Sequence, residues 1–202
     1  MTDCSIKQTC FMCPKTKKQF EEIRSEKRNL IMHSALHLFA EKGYHQASIS
    51  QIAKRAGISK GLMYNYFDSK EALLGEIFQE GFNQAYENFD QNQDGILQKE
   101  EFVSFIYRLK TLINTNRSFW QLLAGLITQP GTLNSIKTVQ IEGASEINKL
   151  LYEYFVELGC HNPKFEMVYC TSLLQGAFLQ YILSPETYPI DDVIERIVKT
   201  YT

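Results

Sequence analysis

The sequence predicts an all-α fold, and three observations support this prediction. Apolar residues recur at helical spacing along nearly the whole chain, whereas almost no stretch alternates apolar and polar residues as a strand does. Glycines and prolines separate the periodic segments, for example at Gly43, Gly131, Gly159, Pro163 and Pro189. The composition, 44% apolar and 22% charged, is ordinary for a globular protein that buries a core.

The periodicity predicts the helices in order along the chain. They cover residues 18–42, 50–56, 60–67, 70–89, 99–114, 117–128, 132–159, 163–183 and 190–201. We expect the first helix to end at Gly43, because glycine suits the backbone that follows a helix. The inner face of this helix is predicted to carry Leu30, Ile31, Ala35, Leu38 and Phe39.

The chain divides into three predicted parts: an extension at 1–17, a small helical domain at 18–68 and a larger helical domain at 69–202. The extension is polar and carries Cys4, Cys10 and Cys13, for which no fourth zinc ligand lies nearby, so we interpret it as disordered. It has no apolar segment typical of a secretory signal, and no stretch of about 18 apolar residues follows it. We therefore expect a cytoplasmic protein without a membrane span.

Charge is distributed unevenly, although the net charge is only −2. From Pro14 to Lys70 the sequence has 11 Lys and Arg against 5 Asp and Glu, a net charge of +6. From Glu71 to Thr202 the same count is 9 against 17, a net charge of −8. A basic first third on an acidic remainder favours a polyanionic partner for the first third.

Residues 48–67 have the pattern of two short helices joined by a glycine turn. Ile52, Ala53 and Ala56 share one buried stripe with Ile49, and Gly57 suits the left-handed conformation that ends the first helix. The second helix presents, opposite its core side, a polar face made of Lys60, Gly61, Tyr64, Asn65 and Tyr66. This is the pattern of a helix-turn-helix, although a helical corner that binds nothing has similar spacing.

Three segments extend this pattern: Ala40 to Tyr44, Ser48 to Phe67 and Ser69 to Leu74. Together they resemble the N-terminal domain of the TetR family of DNA-binding regulators. The likeness covers about residues 20–75, and beyond it only the length and the all-helical pattern agree. The sequence departs from the family at Tyr66, where many members have histidine.

The resemblance implies contacts with double-stranded DNA. Ser50 and Lys60 lie where the family contacts bases or nearby phosphates, and Lys70 is expected to bind a backbone phosphate. Ser48 is expected to cap a helix and bind phosphate at once. The predicted DNA-binding residues are therefore Ser48, Ser50, Lys60, Gly61, Tyr64, Asn65, Tyr66 and Lys70.

The resemblance also implies a homodimer on a palindromic operator, because one helix-turn-helix makes few contacts. The family's dimer interface is formed by the last two helices, here 163–183 and 190–201. One apolar stripe on the first of them consists of Leu174, Ala177, Phe178 and Tyr181. A second stripe consists of Ile190, Val193, Ile194, Ile197 and Val198. These stripes serve either the core of one chain or both core and interface, and we favour the shared role.

The family's regulators bind a small-molecule effector among their middle helices, which changes the position of the DNA-reading heads. We favour a repressor that its effector releases from DNA. The candidate pocket residues are Phe105, Leu109, Phe119, Trp120, Leu123, Ile127, Tyr152, Phe155 and Tyr169. Aromatic residues at helical spacing also fit an ordinary core, but their abundance favours an apolar or aromatic ligand.

Residues 90–101 match the twelve-residue calcium loop of an EF-hand, which the TetR family does not require. The six ligand positions hold Asp90, Asn92, Asp94, Ile96, Gln98 and Glu101. Gly95 stands at the sharp turn, and Leu97 is expected to point into the core. No second loop is present to pair with it, and the side chains can also cap backbone amides without metal. We favour a Ca²⁺ ion that joins two helices structurally.

The sequence gives no support to an enzyme. It lacks GxGxxG, P-loop and GxSxG motifs, and His33 and His37 lie four residues apart without the HEXXH pattern or a third ligand. The alternative function is a calcium-dependent sensor or interaction protein, in which the N-terminal motif is only scaffold.

Overall fold

The computed structural model describes residues 16–127 and 144–202, and within these two ranges it contains nine helices and no strand. The helices are α1 (Lys17–Lys42), α2 (Ile49–Arg55), α3 (Lys60–Tyr64), α4 (Lys70–Tyr86), α5 (Lys99–Thr115), α6 (Arg117–Ile127), α7 (Ala144–Glu157), α8 (Pro163–Leu183) and α9 (Ile190–Tyr201). The prediction of an all-α fold is confirmed. None of the helices in these ranges has the length and apolar content needed to cross a membrane.

Some of the sequence predictions lie outside the described residues. They concern Cys4, Cys10 and Cys13 of the predicted extension, the first part of the predicted helix 132–159, and the side chain of Ile127. The part of that helix which the structure describes is α7.

Short polar side chains determine where several helices begin. Thr16 and Ser48 each form a reciprocal cap, in which the hydroxyl accepts a hydrogen bond from the N–H three residues later and a glutamine accepts one from the cap's own N–H. Ser59, Ser69 and Asn162 cap α3, α4 and α8 through their side-chain oxygens. These caps occupy N–H groups that have no partner inside the helix, so the polar residues between the apolar segments fix the helix starts.

The helix α3 is shorter than the sequence predicts. It ends at Tyr64 rather than Phe67, because the N–H groups of Asn65 and Tyr66 bond to carbonyls three residues back and tighten the chain into a turn. Phe67 is nevertheless buried, so the apolar spacing continues past the end of the helix.

The helix α4 also ends early, at Tyr86 rather than Phe89. Asn88 has a φ of 54°, in the left-handed region that a helix does not continue through. Phe89 still reaches the core, and its N–H bonds to the carbonyl of Tyr86 at 3.1 Å. The loop from residue 87 to 98 therefore begins inside the segment that apolar spacing assigns to the helix.

A first core joins α1, α2 and α3 to the first half of α4 and to α6. Its most deeply buried large side chains are Ile31, Phe39, Ile52, Met63, Leu73, Leu74, Phe78, Phe119 and Leu126. Leu30, which we expected on the inner face of α1, is 43% exposed, because the buried stripe is centred on Ile31 and Ala35 instead. Since α6 completes this core, the packing crosses the predicted domain division at residue 69, which itself stays a prediction.

A second core joins the end of α4 and α5 to α7, α8 and α9. It includes the two apolar stripes that the sequence predicts on the last two helices. Leu174 and Phe178 of α8 are buried here, as are Ile190, Ile194 and Ile197 of α9. Both stripes therefore pack inside one chain, and our expectation that they also face a partner is wrong for their buried members.

Candidate DNA-binding site

The turn between α2 and α3 is fixed by one glycine and by side chains beneath it. Gly57 has a φ of +66°, a conformation that side chains strain, and the N–H of Ile58 bonds to the carbonyl of Ala53 at 3.0 Å. On the two sides of the turn, Ile52 and Met63 are fully buried in the first core. The two short helices therefore meet at a set angle, as in a helix-turn-helix.

The face of α3 opposite Met63 is open to solvent. Lys60, Gly61 and Asn65 are exposed there, and Tyr64 is 47% exposed. A large aromatic side chain held outward on a short helix is available to contact another molecule. Leu62, which sequence reasoning missed, is exposed beside them, and its position on a helix with one buried side was the signal that could have found it.

Ser48 and Ser50 lie at the start of α2. The Ser48 Oγ accepts a hydrogen bond from the N–H of Gln51 at 3.3 Å, so its own hydroxyl proton remains to be donated. Ser50 is exposed in the first turn of the same helix. The predicted double role of Ser48, as a cap and as a phosphate contact, is compatible with this geometry.

Tyr66 does not share the open face with Tyr64, contrary to our prediction. It is half-buried against the first core, and the guanidinium of Arg24 lies 5.8 Å from the centre of its ring. Its carbonyl accepts a hydrogen bond from Arg28. The reason is the early end of α3, which turns the chain so that Tyr66 faces α1 rather than solvent.

Lys70 begins α4 as predicted, but its ammonium group binds within the chain. The Nζ donates to the carbonyl of Tyr44 at 3.0 Å and to that of Ala47 at 3.1 Å, and it lies 4.3 Å from the Tyr44 ring centre. These contacts tie the start of α4 to the loop between α1 and α2. The structure therefore gives Lys70 a structural role, and since an ammonium has a third donor, the phosphate contact that we expected stays a prediction.

Two further pairs organise the charge around the site. Arg55 binds both carboxylate oxygens of Glu41, at 2.7 and 2.8 Å, and this hydrogen bonding lowers the pKa of Glu41. The Tyr44 hydroxyl donates to Glu71 at 3.0 Å, and burial is the main reason that the pKa of Tyr44 is raised. Because Arg55 is occupied by Glu41, Lys60 is the cation on the exposed face that is best placed for an anionic partner.

Arg28 connects this site to α4. Its guanidinium donates to the carbonyl of Tyr66, lies 4.7 Å from the centre of the Phe67 ring and pairs with Glu76 on α4. One side chain of α1 therefore contacts the end of the helix-turn-helix and the helix that leaves it. A substitution of Glu76 would therefore alter the position of Arg28, and through Arg28 that of Tyr66.

The model of a known family, "Bacterial regulatory proteins, tetR family", matches residues 31–77. This range runs from the inner part of α1 through α2 and α3 into α4, so it contains the helix-turn-helix and the helix that leaves it. This match identifies residues 31–77 as the N-terminal domain of the TetR family. Since the family consists of regulators, this agrees with the prediction that the chain is not an enzyme, and it disfavours the alternative in which the motif is only scaffold.

Relatives and solved structures extend this likeness beyond the TetR-family motif. The fatty acid metabolism regulator protein of Bacillus subtilis is 29% identical over 125 residues, 61% of this chain and 60% of that protein. The chain thus spans less than two thirds of the length of this curated relative. The fatty acid degradation regulator FadR of Bacillus halodurans superposes with a TM-score of 0.73 at 19% identity, over 87% of this chain and 94% of that one. FadR from Bacillus subtilis, solved in complex with stearoyl-CoA, superposes with a TM-score of 0.71 at 20% identity, over 86% of this chain and 96% of that one. These superpositions show the TetR fold.

The described residues that we predicted for an effector pocket are divided between the two cores and the surface, and their role as a pocket stays a prediction. Phe119 and Leu123 belong to the first core, Phe105, Leu109 and Phe155 to the second, and Trp120 to both. Tyr152 and Tyr169 are exposed on α7 and α8. The buried members therefore contribute to packing, and the two tyrosines face outward.

A groove of about 910 Å³ lies instead along α4, between α1, the loop after α4 and α7. None of the eight predicted pocket residues whose side chains the structure describes lines it. Its lining includes Arg28 and five acidic residues, Glu76, Glu80, Glu87, Asp90 and Glu146. The groove therefore meets the Arg28–Glu76 pair at one end and the loop of residues 90–101 at the other.

Five of the six predicted calcium ligands lie on the loop after α4, and the sixth, Glu101, lies in the first turn of α5. Glu101 is buried and Asp90 half-buried, whereas Asn92, Asp94, Ile96 and Gln98 are exposed. Leu97 is buried in the second core, as predicted, and Gly95 has a φ of +79° at the sharp turn. The assignment of a metal to these residues stays a prediction.

Proposed function

We propose that this chain is a transcriptional repressor that binds a palindromic operator as a homodimer and leaves it when a small molecule binds. The observation that carries the proposal is the exposed face of α3, where Lys60, Gly61, Tyr64 and Asn65 lie outward on a helix held by buried Met63. An α-helix presented in this way fits the major groove of DNA.

The side chains of this face have complementary roles. Tyr64 offers a hydroxyl to a phosphate and a ring to a thymine methyl, and Asn65 has the paired donor and acceptor that suit adenine. Lys60, Ser48 and Ser50 supply phosphate contacts at the edges. Gly61 has no side chain, and apart from its own helix no described residue lies within 4 Å of the position that a Cβ would take there, so DNA can approach closely.

An apolar face on α8 supports the homodimer. Opposite its buried stripe, α8 exposes Phe165, Val168, Tyr169, Leu173 and Leu183, at the spacing of one helix side. Exposed Gly176 lies among them and allows a close approach. The outer side of α9 carries Asp191, Glu195, Arg196 and Lys199 instead. The partner chain therefore packs mainly on α8, with the exposed side of α7 next to it.

The groove along α4 is where a ligand can act on the DNA-reading head. A molecule bound there contacts Arg28 and Glu76, and Arg28 in turn holds Tyr66 and Phe67. A ligand that competes for either member of the ion pair changes how the helix-turn-helix is held on α4. Such a difference in contacts between two states is what an effector needs in order to shift DNA affinity.

The charge of the groove bears on the class of effector. FadR from Bacillus subtilis has been solved in complex with stearoyl-CoA. In this chain the five carboxylates of the groove would face the phosphates of a CoA group, and like charges repel. The effector proposed here is therefore a neutral or cationic small molecule.

The test of DNA binding compares two tyrosines of similar exposure. A duplex is first selected from a random pool by the full-length chain, and its Kd is then measured by fluorescence anisotropy at several salt concentrations. We expect Kd to rise steeply with salt, because binding to phosphates releases counterions. Tyr64→Ala is expected to weaken binding by about 10-fold, since a good base contact contributes about 1–3 kcal/mol.

Tyr107→Ala is the matched control, because Tyr107 on α5 is 43% exposed and lies outside the helix-turn-helix. Its Kd should equal that of the unmodified chain. Equal Kd values for all three proteins would contradict the role of α3. A chain that binds no duplex at any salt concentration would contradict the proposed function as a whole.

A further inference from the structure

One carboxylate oxygen in the loop between α4 and α5 lacks a partner. The Oδ1 of Asp90 is shielded from solvent, and among the described residues it accepts no hydrogen bond. The other oxygen, Oδ2, accepts from the N–H of Gly95 at 2.9 Å, so the carboxylate points across the loop. A buried carboxylate oxygen without a donor is costly, and a water or an ion that binds it removes the cost.

A second carboxylate points into the same loop from its other end. Glu101, in the first turn of α5, is only 7% exposed. Its Oε1 accepts from the N–H of Gln91 at 2.8 Å, and its Oε2 accepts from the N–H of Gln98 at 2.9 Å. Asp90 and Glu101 are positions 1 and 12 of the predicted calcium loop, so the two end ligands already turn inward.

Between them the loop brings two more oxygen-bearing side chains together. Asn92 and Asp94 are joined by a side-chain hydrogen bond of 2.9 Å, and the Oδ1 of each also accepts a backbone N–H of the loop. In the described part of the chain no three acidic, histidine or cysteine side chains are already gathered for a metal. Binding must therefore draw Asp94 and Glu101 away from the amides that they now accept from, which limits affinity.

We propose that residues 90–101 bind one Ca²⁺ ion, with the unpartnered Oδ1 of Asp90 as a ligand. The remaining ligands are side-chain oxygens of Asn92, Asp94, Gln98 and Glu101 and the carbonyl of Ile96. Three carboxylates exceed the two charges of the ion, and a flexible loop of oxygen ligands suits Ca²⁺ better than the smaller, strictly octahedral Mg²⁺. Asp90 also lines the groove along α4, which gives the ion a path from solvent.

The ion would join three parts of the chain. Phe89, just before the predicted calcium loop, packs edge-on against Phe105 of α5, with 4.6 Å between the ring centres. Leu97, within the loop, is buried. Lys99, at the start of α5, donates to the carbonyl of Thr202, the last residue after α9. A bound ion therefore fixes the angle between α4 and α5 and the position of α9 against α5. This role is structural.

The experiment is calorimetry of the full-length chain, stripped with a chelator and then titrated with Ca²⁺ or Mg²⁺, with melting temperatures measured alongside. We expect one Ca²⁺ per chain, a rise in Tm with Ca²⁺, and weaker binding of Mg²⁺. Glu101→Gln and Asp94→Asn should each weaken Ca²⁺ binding at least 10-fold. Glu100→Gln, next to Glu101 but fully outside the ligand set, should leave it unchanged.

Asp94→Asn keeps the Oδ1 that accepts a hydrogen bond from the N–H of Ile96, so the loop should still fold. If Glu101→Gln does not fold, Asp94→Asn therefore tests the calcium site on its own. Absence of heat and of a Tm shift at millimolar Ca²⁺ would overturn the proposal and leave water as the partner of Asp90. Equal binding by all variants would place the ion elsewhere. Equal heats with Mg²⁺ would overturn the assignment of the ion as Ca²⁺.

Discussion

At the scale of single residues, Lys70 shows how one cation can serve two different partners. A lysine at the start of a helix near DNA predicts a phosphate contact, yet here its ammonium binds two carbonyls of the loop between α1 and α2. A phosphate and a pair of carbonyls each bind a positively charged side chain of the same length, so the sequence alone does not distinguish the two contacts. The distinction depends on where the carbonyls of Tyr44 and Ala47 point, which only the folded loop determines.

The structural role of Lys70 predicts a loss of stability when the ammonium is removed. Lys70→Met should lower the free energy of unfolding by about 1–3 kcal/mol, because hydrogen bonds to charged groups contribute about that much. Urea denaturation measures the change. Lys54→Met, at an exposed position on α2, is the control and should change stability little. An unfolding curve for Lys70→Met that overlays that of the unmodified chain would contradict this role.

Other residues of the site were predictable because one helical side is buried. Once Ile52 and Met63 were assigned to the core, the exposure of Lys60, Tyr64 and Asn65 followed from the helical period. Tyr66 was not predictable in the same way, because its orientation depends on where α3 ends. That end is set by hydrogen bonds three residues apart, which apolar spacing does not encode.

At the scale of elements, the starts of helices were easier to predict than their ends. Ser48, Ser59 and Ser69 mark starts through their own side chains. The end of α4 lacks such a signal, since Phe89 continues the apolar spacing although the backbone has already left the helix. Apolar spacing also does not distinguish the wall of an effector pocket from a core, because aromatic residues suit both and the packing between helices decides between them.

The contact between α4 and α6 makes a prediction from a pair of glycines on one helix. A Cβ at Gly81 would overlap the ring of Phe119, whereas a Cβ at Gly75 would meet no described atom beyond its own helix within 4 Å. Alanine favours a helix over glycine by about 1 kcal/mol. Gly75→Ala should therefore stabilise the chain by up to about 1 kcal/mol, and Gly81→Ala should destabilise it by about 1–3 kcal/mol through overpacking.

Thermal and urea unfolding of both glycine variants test this contrast. The sign of the effect is the informative result, because helix propensity alone predicts stabilisation in both cases. If Gly81→Ala were as stable as Gly75→Ala, the close packing of α4 on Phe119 would be wrong.

At the scale of the whole molecule, the exposed apolar face of α8 is the surface on which we propose that two chains meet. The sequence correctly predicts apolar stripes on the last two helices, but their burial inside one chain was not predictable from spacing. Two helices that pack on each other and on α5 use one side each for their own core. Only the structure shows that the exposed side of α8 is apolar, whereas the exposed side of α9 is charged.

This surface predicts that a charge in its centre separates the chains. Tyr169→Asp should convert a dimer to a monomer in sedimentation velocity, because burying an unpaired carboxylate in an apolar interface is costly. DNA binding should weaken with it, since two heads are needed for two half-sites. Leu30→Asp, at an exposed leucine on α1, should leave the dimer intact. A Tyr169→Asp chain that sediments as a dimer would contradict this interface.

Whether the outward face of α3 reads DNA bases is best measured by sequencing the duplexes that the chain selects from a random pool. The unmodified chain should enrich a two-fold symmetric sequence with half-sites about one DNA turn apart. Tyr64→Ala or Asn65→Ala should lose the base preference at the same position of both half-sites, while Tyr107→Ala enriches the original sequence. Enrichment of that same sequence by all the variants, or of no sequence by the unmodified chain, would show that α3 does not read bases.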